Sequence, residues 1–222
     1  MSKRVIVNVA TGRYVKGQER LVSAFAHEYC VARWHDMMPD GCQTHAERPY
    51  AFKAYALHDA AAAGMDVLLW CDASIVPGPR PLEELWEKIE QDGIWFSNNG
   101  FSNYEWTADS AYPDLGVTRE ENRRIPHVVA TAFGLDLRKP IGWNFLAEYY
   151  RLASETRTFC GPWKNTPLTP CGPADVRGHR HDQTAASVIC WRLGVHLSDP
   201  PEWFAYRGGE TEKTCLVADG AY

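Results

Sequence analysis

Three short segments carry the side chains that could do chemistry in this chain of 222 residues. Asp72 and Ser74 follow one apolar run, residues 11–14 follow another, and residues 179–183 lie nearer the carboxyl end. Carboxylate and hydroxyl oxygens are the hard ligands that Mg²⁺ and Mn²⁺ prefer, and such ions often carry a phosphorylated ligand. Asp72 and Ser74 therefore predict a cation site that holds a diphosphate.

The segment Thr11-Gly12-Arg13-Tyr14 offers a complementary set of groups. Gly12 allows a tight turn, Arg13 is a permanent cation, and the ring of Tyr14 is a flat face on which a base could stack. A nucleotide needs such groups for its phosphates and its base. We therefore expect these four residues to bind a nucleotide.

The segment from His179 to Gln183 has two interpretations. Neutral imidazoles of His179 and His181 bind transition metals well, and Arg180 adds a cation for phosphate. Asp182 equally suits the N-cap of the helix that follows, where its carboxylate would accept hydrogen bonds from first-turn amides. Gln183 is then an ordinary first-turn residue, so the pattern alone leaves both interpretations open.

Strands and helices that alternate along the chain must position these segments. Apolar runs and helical spacings predict the following elements: strands at 4–9, 66–70, 94–97, 128–135 and 195–197, and helices at 18–30, 49–64, 81–93, 140–153 and 182–193. This alternation is typical of an α/β fold with a mostly parallel, layered sheet. Because ligands of such sheets bind beyond the carboxyl ends of the strands, residues 11–14 and 72–74 should open on the same edge.

Two irregular segments, residues 97–126 and 156–178, do not follow this pattern. Long loops in compact domains are usually functional, so we expect both to form walls of a substrate site. Trp106 and Trp163 lie in these loops and could form an aromatic platform for an acceptor.

Composition argues against several classes of protein. The net charge of −5, without runs of like charge, argues against a broad nucleic-acid-binding surface, although a local groove of arginines leaves a DNA acceptor open. The seven cysteines include no CxxC pair and predict reduced thiols in the cytoplasm. The first apolar stretch, residues 5–9, is too short for a signal peptide or a membrane span.

Two motifs carry a resemblance to a known family. Pro49-Tyr-x-x-Lys53, a helix, and the run Asp66-Val-Leu-Leu-Trp-Cys-Asp72-Ala-Ser-Ile-Val-Pro77 resemble the nucleotide-binding half of GT-A-type glycosyltransferases. The nearer resemblance is to the retaining branch that includes glycogenin and bacterial lipopolysaccharide galactosyltransferases. His181-Asp182-Gln183-Thr184 is similar to the Asp-Gln pair that opens a helix near the sugar in that branch.

The resemblance implies a GT-A-like fold of nucleotide-diphospho-sugar transferases. This is a Rossmann-like α/β fold whose mixed, mostly parallel sheet is sandwiched by helices. We expect a single domain over residues 1–222, with a nucleotide-sugar half at 1–96 and an acceptor and catalytic half at 97–222. The tail after Gly208 is expected to be peripheral.

The resemblance also implies a reaction, in which a hexosyl group passes from a UDP- or GDP-sugar to a hydroxyl acceptor with retention, assisted by Mn²⁺ or Mg²⁺. Ser74 replaces the second carboxylate of the family's Asp-x-Asp, so Asp72 and His181 would hold the metal. Asp182 and Gln183 would act on the sugar as catalytic residues. Lys53, from its position on the predicted helix before the central strand, would either reach a phosphate as a mobile charge or lie on a solvated face. The expected donor-binding residues are Thr11, Gly12, Arg13, Tyr14, Lys53, Asp72 and Ser74.

Several alternatives stay open from the sequence alone. An inverting enzyme would use a carboxylate such as Asp182 as a general base. A nucleotidyltransferase that makes sugar nucleotides shares the strand-and-loop arrangement, although residues 10–14 are shorter than its Gly-rich loop. A non-catalytic carbohydrate- or nucleotide-binding module would also use aromatic loops. The acceptor could be a glycan, a lipid-linked sugar, a protein or a hydroxylated DNA base.

Overall fold

Strands and helices alternate through most of the chain, which a computed structural model describes over residues 2–220. The elements in chain order are β1 (Arg4–Ala10), α1 (Val15–Phe25), β2 (Val31–His35), α2 (Ala51–Ala62), β3 (Val67–Cys71), β4 (Ile75–Pro77), α3 (Leu82–Asp92), β5 (Ile94–Ser102), α4 (Tyr112–Leu115), α5 (Arg119–Asn122), β6 (Pro126–Asp136), α6 (Pro140–Glu155), α7 (His181–Arg192), β7 (Trp203–Tyr206) and β8 (Thr214–Ala218). The predicted α/β alternation is confirmed.

A five-stranded sheet with the order β2-β1-β3-β6-β5 forms the centre of the fold. β1 pairs in parallel with β2 and with β3, whereas β6 runs antiparallel to both β3 and β5. Every strand except β6 therefore points in the same direction, which confirms the mixed, mostly parallel sheet. The long irregular segment between β5 and β6 allows the chain to return beside β5 and reverse its direction.

Helices cover both faces of this sheet because side chains alternate along each strand. Val5, Val7 and Val9 of β1 pack into a core with α2, α6 and α7, while Ile6 faces the opposite core with α1 and α3. All four side chains are buried, so β1 is enclosed on both sides. The predicted helical sandwich follows from this enclosure.

A second, three-stranded sheet with the order β4-β8-β7 joins β4 to two strands near the carboxyl end, and its central strand β8 lies in the tail after Gly208. Every residue of β8 is buried. A Cβ on Gly78 would lie 2.2 Å from the carbonyl oxygen of Thr214, so the tail packs directly against the chain after β4. The expectation of a peripheral tail after Gly208 is therefore wrong, because the short apolar run of β8 completes a core.

The tail also fixes the loop that follows β3. The backbone amide of Asp219 donates to the carbonyl oxygen of Ser74 at 2.8 Å. The guanidinium of Arg20 in α1 donates to both backbone carbonyls, at 3.2 Å to Ser74 and 2.6 Å to Asp219.

Residues 195–197, predicted as a strand, lie in no strand of either sheet. Among residues 2–220, no helix combines the length and the apolar character needed to cross a membrane.

Candidate active site

The carboxyl ends of β1 and β3 open into one cavity of about 210 Å³. These strands are parallel neighbours, so the residues that follow them meet at one edge of the sheet. Among the residues predicted to bind a donor, Thr11, Tyr14, Asp72 and Ser74 line this larger chamber. Its other walls are mostly aromatic or apolar and include Met38, Tyr50 and Phe52.

A smaller chamber of about 140 Å³ adjoins the first, and Tyr50 and Asp72 line both. Its remaining lining residues come from α2, β6, α7 and the loop before α7, and they are Lys53, Ala130, Thr131, Trp163, Arg180, Asp182 and Gln183. The structure thus brings the predicted Lys53, Asp182 and Gln183 together around Asp72. The two chambers form one bipartite cleft.

A buried lysine links the two carboxylates of this cleft. The Nζ of Lys53 lies 3.0 Å from Asp72 Oδ1 and 2.9 Å from Asp182 Oδ2, and it donates to the carbonyl oxygen of Ala130 at 2.7 Å. An ammonium group has three N–H donors, so all three are engaged. The side chain of Lys53 is only 2% exposed, which corrects the expectation of a mobile charge.

Charge pairing keeps this lysine protonated. Burial lowers the pKa of Lys53, but the carboxylates of Asp182 and Asp72 outweigh it and raise the pKa above its ordinary value. Burial raises the pKa of both carboxyl groups, and the nearby ammonium opposes that rise. A buried charge is tolerated when it is paired and hydrogen-bonded, which describes each member of this triad.

Asp72 is fixed at the tip of β3. The indole Nε1 of Trp70 donates to Asp72 Oδ1 at 2.8 Å, and the backbone amide of Asp72 donates to the Thr131 carbonyl oxygen at 2.8 Å. The Asn8 side chain donates to the Cys71 carbonyl at 2.6 Å, which ties the end of β3 to β1. The Asp72 side chain is still 30% exposed, so it faces the cleft as well as Lys53.

Asp182 and Gln183 lie in the first turn of α7. The helix begins at His181, and the preceding Arg180 makes no side-chain capping bond. Asp182 is therefore not the N-cap residue, but its carboxylate accepts hydrogen bonds from first-turn amides, as that interpretation expected, and also pairs with Lys53. Gln183 Nε2 donates to the Val128 carbonyl oxygen at 3.0 Å, which fixes the amide against β6.

His179 and His181 are buried behind the smaller chamber, and neither lines a wall of the cleft. His179 Nδ1 accepts from the amide of Ala108 at 3.2 Å, so its Nε2 donates to the Thr158 carbonyl at 2.7 Å. His181 Nδ1 lies 3.1 Å from the Phe159 carbonyl oxygen. Burial lowers the pKa of His179 to about 3 and that of His181 to about 4, so both rings are neutral at pH 7.

The chemistry of these side chains does not fit the divalent metal that the resemblance implies. Within residues 2–220, no three His, Cys, Asp or Glu side chains are grouped to hold an ion. His181 lies outside the cleft walls, and Asp72 is already paired with Lys53. Mn²⁺ or Mg²⁺ therefore stays a prediction that these residues do not support.

Arg180 extends over the smaller chamber on an aromatic support. Its guanidinium carbon lies 3.9 Å from the ring centroid of Trp106 and 5.3 Å from that of Trp163, and Nη1 donates to the Trp163 carbonyl at 3.0 Å. Trp163 is 43% exposed and lines the chamber, as expected of a platform. Trp106 instead holds the arginine in place.

The predicted turn after β1 is placed only in part within the cleft. Gly12 has a positive φ of 54°, and its amide donates to Asp36 Oδ1 at 2.8 Å. Arg13 Nη2 donates to the Tyr14 hydroxyl at 3.1 Å, so this guanidinium lies beside the aromatic ring at the rim. Thr11 and Tyr14 line the larger chamber, whereas Gly12 and Arg13 do not.

Several cleft residues were not predicted from the sequence. Tyr50 has a φ of 61°, and its ring centroid lies 5.0 Å from Lys53 Nζ between the two chambers. Thr131 is a polar residue within the apolar run of β6, and this interruption was an available signal. Tyr206 lines neither chamber, but its hydroxyl forms a hydrogen bond with Thr131, which lines the smaller one. No local pattern indicates this position for Tyr206.

Solved structures that resemble this fold are glycosyltransferases, although no protein-family model and no curated protein matches the sequence. A glycosyltransferase involved in the glycosylation of the major capsid of PBCV-1 matches at a TM-score of 0.55 and 12% identity, over 99% of this chain and 95% of that chain. The apo structure of WbbM, a bifunctional glycosyltransferase, matches at 0.52 and 11% identity, over 100% of this chain but 46% of that one.

A third match is the apo form of mouse xyloside xylosyltransferase 1, with a TM-score of 0.50 and 13% identity, over 97% of this chain and 85% of that chain. This chain spans about half the length of WbbM and nearly the full length of the other two. Identities this low bear on the fold alone. The chain has the GT-A-like fold of these glycosyltransferases.

Proposed function

We propose that this protein transfers a glycosyl group from a nucleoside-diphosphate sugar to a hydroxyl acceptor. One observation carries the proposal, which is the bipartite cleft at the carboxyl ends of β1 and β3 in a GT-A-like fold. A nucleotide sugar has an aromatic base at one end and a polar sugar at the other. The larger chamber is mostly aromatic and apolar and the smaller one is charged, so the two chambers match the two ends.

The donor is proposed to lie with its base in the larger chamber, against Tyr14 and Tyr50. Its diphosphate would cross the junction near Asp72, and its sugar would enter the smaller chamber beside Asp182 and Gln183. UDP and GDP both fit this description. The polar walls of the smaller chamber would bind sugar hydroxyls, which need hydrogen-bond partners when they leave water.

The chemistry follows from the charges around the smaller chamber. The bond between the anomeric carbon and the diphosphate oxygen breaks, and its electron pair stays on the diphosphate. The acceptor oxygen bonds to the anomeric carbon, and the acceptor proton passes to the leaving diphosphate. The sugar is oxocarbenium-like during transfer, so the carboxylates of Asp72 and Asp182 would stabilise its positive charge.

Retention of configuration remains the expectation that the resemblance implies. An inverting mechanism would require Asp182 to act as a general base, but its Oδ2 is engaged by the Lys53 ammonium at 2.9 Å. A carboxylate bound in this way is better suited to a fixed electrostatic role.

For the acceptor we propose a sugar hydroxyl, because the exposed rings of Trp163 and Tyr206 are flat surfaces on which a sugar can pack.

Release of UDP or GDP from a panel of nucleotide sugars tests this function. We expect wild type to hydrolyse at least one donor slowly, and Asp182→Asn to reduce that rate about 10²- to 10³-fold through loss of transition-state charge stabilisation. Asp59→Asn, at a half-buried carboxylate on α2 that lines neither chamber, serves as the matched control and should retain the rate. Equal rates in Asp182→Asn and wild type, or nucleotide binding without turnover of any donor, would favour a binding module instead.

A further inference from the structure

Arg180 lies at the wall of the smaller chamber and forms no salt bridge with any of residues 2–220. Its Nη1 donates to backbone carbonyls, and over residues 2–220 no hydrogen bond engages its Nε or Nη2 and no carboxylate forms an ion pair with it. The planar fork of the guanidinium suits phosphate oxygens, which it can bind through two parallel hydrogen bonds. Such a group facing a polar chamber indicates an anionic ligand.

We propose that Arg180, and not a divalent metal ion, neutralises the diphosphate of the donor. The inference rests on the proposed glycosyl transfer and specifies how the donor site handles charge. Negative charge grows on the diphosphate as the glycosyl bond breaks, and a fixed guanidinium stabilises it without reorganisation.

The carboxylates of the cleft support this assignment because both are already paired with the same ammonium. A metal on Asp72 would have to compete with Lys53, whose ammonium lies within 3.0 Å of both Asp72 and Asp182. Ser74 supplies no second negative charge at the tip of the loop. The cleft therefore contains its own cation where a metal-dependent site would present unpaired carboxylates.

Aromatic rings and a backbone carbonyl hold the guanidinium of Arg180 in place. Trp106 and Trp163 hold the guanidinium, with ring centroids at 3.9 Å and 5.3 Å, and the Trp163 carbonyl orients one nitrogen. The nearby Arg177 packs on the same Trp106 ring at 5.6 Å, but Glu105 neutralises it at 2.8 Å and it lines neither chamber. Arg177 is therefore a matched control, because it packs on the same Trp106 ring but cannot contact a ligand in either chamber.

Calorimetric titration with UDP and GDP, in EDTA and in Mn²⁺, tests the inference. We expect wild type to bind one of them in EDTA, with less than about a threefold gain on adding Mn²⁺. Arg180→Gln should weaken binding about 10- to 150-fold, the range for a lost hydrogen bond to a charged group. Arg177→Gln should change it less than about threefold. Arg180→Lys keeps the charge without the fork and should fall between wild type and Arg180→Gln.

The possible outcomes separate this inference from the proposed function. Nucleotide binding that requires Mn²⁺, or Arg180→Gln with wild-type affinity, overturns the inference and leaves glycosyl transfer standing. Loss of binding in Arg177→Gln equal to that in Arg180→Gln also overturns it, since the aromatic support and not the free cation would then matter. No binding of either nucleotide under any condition overturns both. Circular dichroism checks that each variant is folded. If Arg180→Gln is unfolded, the affinity of Arg180→Lys provides the test instead.

Discussion

The two chambers that meet at Asp72 are built in different ways. The larger chamber takes its walls from the ends of β1 and β3, from the residues that follow them, and from the segment that leads from β2 into α2, and these walls are mostly aromatic or apolar. The smaller chamber is assembled from α2, β6, α7 and the loop before α7, and it contains paired buried charges. Local chain geometry shapes the first, whereas charge pairing between distant segments shapes the second.

This difference separates stability from binding. Removing one partner of a buried ion pair leaves an uncompensated charge, so changes in the smaller chamber should lower the free energy of unfolding. Half-exposed aromatic rings in the larger chamber contribute less to the core, so changes there should affect ligand binding alone. The predictions that follow test this division, from the largest expected effect to the smallest.

Replacing Lys53 by methionine should produce the largest effect. Asp72 and Asp182 would lose the ammonium that lies within 3.0 Å of each, and we expect the free energy of unfolding to fall by about 3–5 kcal/mol. Urea denaturation at pH 7 measures the change. Lys88→Met is the matched control, because Lys88 pairs with Asp92 at the surface and should cost at most about 1 kcal/mol.

Two outcomes sharpen this test of the triad. Adding Asp182→Asn to Lys53→Met should recover part of the lost stability, since one of the two uncompensated carboxylates becomes neutral. A loss below about 1 kcal/mol in Lys53→Met would show that the triad is not a stabilising network, and the contrast between the chambers would fail.

Acidification should also lower the free energy of unfolding, through the buried histidines His127 and His179. Burial lowers the pKa of His127 and of His179 to about 3, while an unfolded histidine has a pKa of about 6.5. The unfolded state therefore takes up these protons first, and the stability present above pH 6.5 is lost as the pH falls. At pH 5 each ring should cost about 2 kcal/mol.

Urea denaturation at pH 7 and pH 5 checks this prediction. His127→Gln should reduce the difference in the free energy of unfolding between pH 7 and pH 5 by about 2 kcal/mol, because one titrating group is removed. Equal free energies of unfolding at the two pH values would show that these histidines are not buried in the neutral form, and the packing behind the smaller chamber would need revision.

The same contrast explains what could be predicted from the sequence. Thr11, Tyr14, Asp72 and Ser74 were predicted to share a cleft because apolar runs locate strands and parallel strands end at one edge. This argument needs only local patterns and one rule of topology. The structure brings these four residues together around the larger chamber.

The smaller chamber could be predicted only through the resemblance. Lys53 on a helix has the pattern of a solvated lysine, and its burial depends on carboxylates contributed by β3 and α7. The reversed direction of β6 and the burial of β8 likewise depend on pairing between distant segments. Periodicity contains no information on such pairings, so the position of Tyr206 could not be predicted.

Tyr14→Ala should produce the smallest effect on stability and a clear effect on binding. The ring is 43% exposed at the larger chamber, so its loss should leave the free energy of unfolding within about 0.5 kcal/mol of wild type. Stacking of an aromatic ring on a base is worth about 1–3 kcal/mol, so the dissociation constant for UDP or GDP should rise about 5- to 150-fold. Trp143→Ala removes a ring that is 53% exposed and lines neither chamber, and it should leave binding unchanged. If Tyr14→Ala loses stability and retains affinity, the larger chamber is part of the core and does not hold the base.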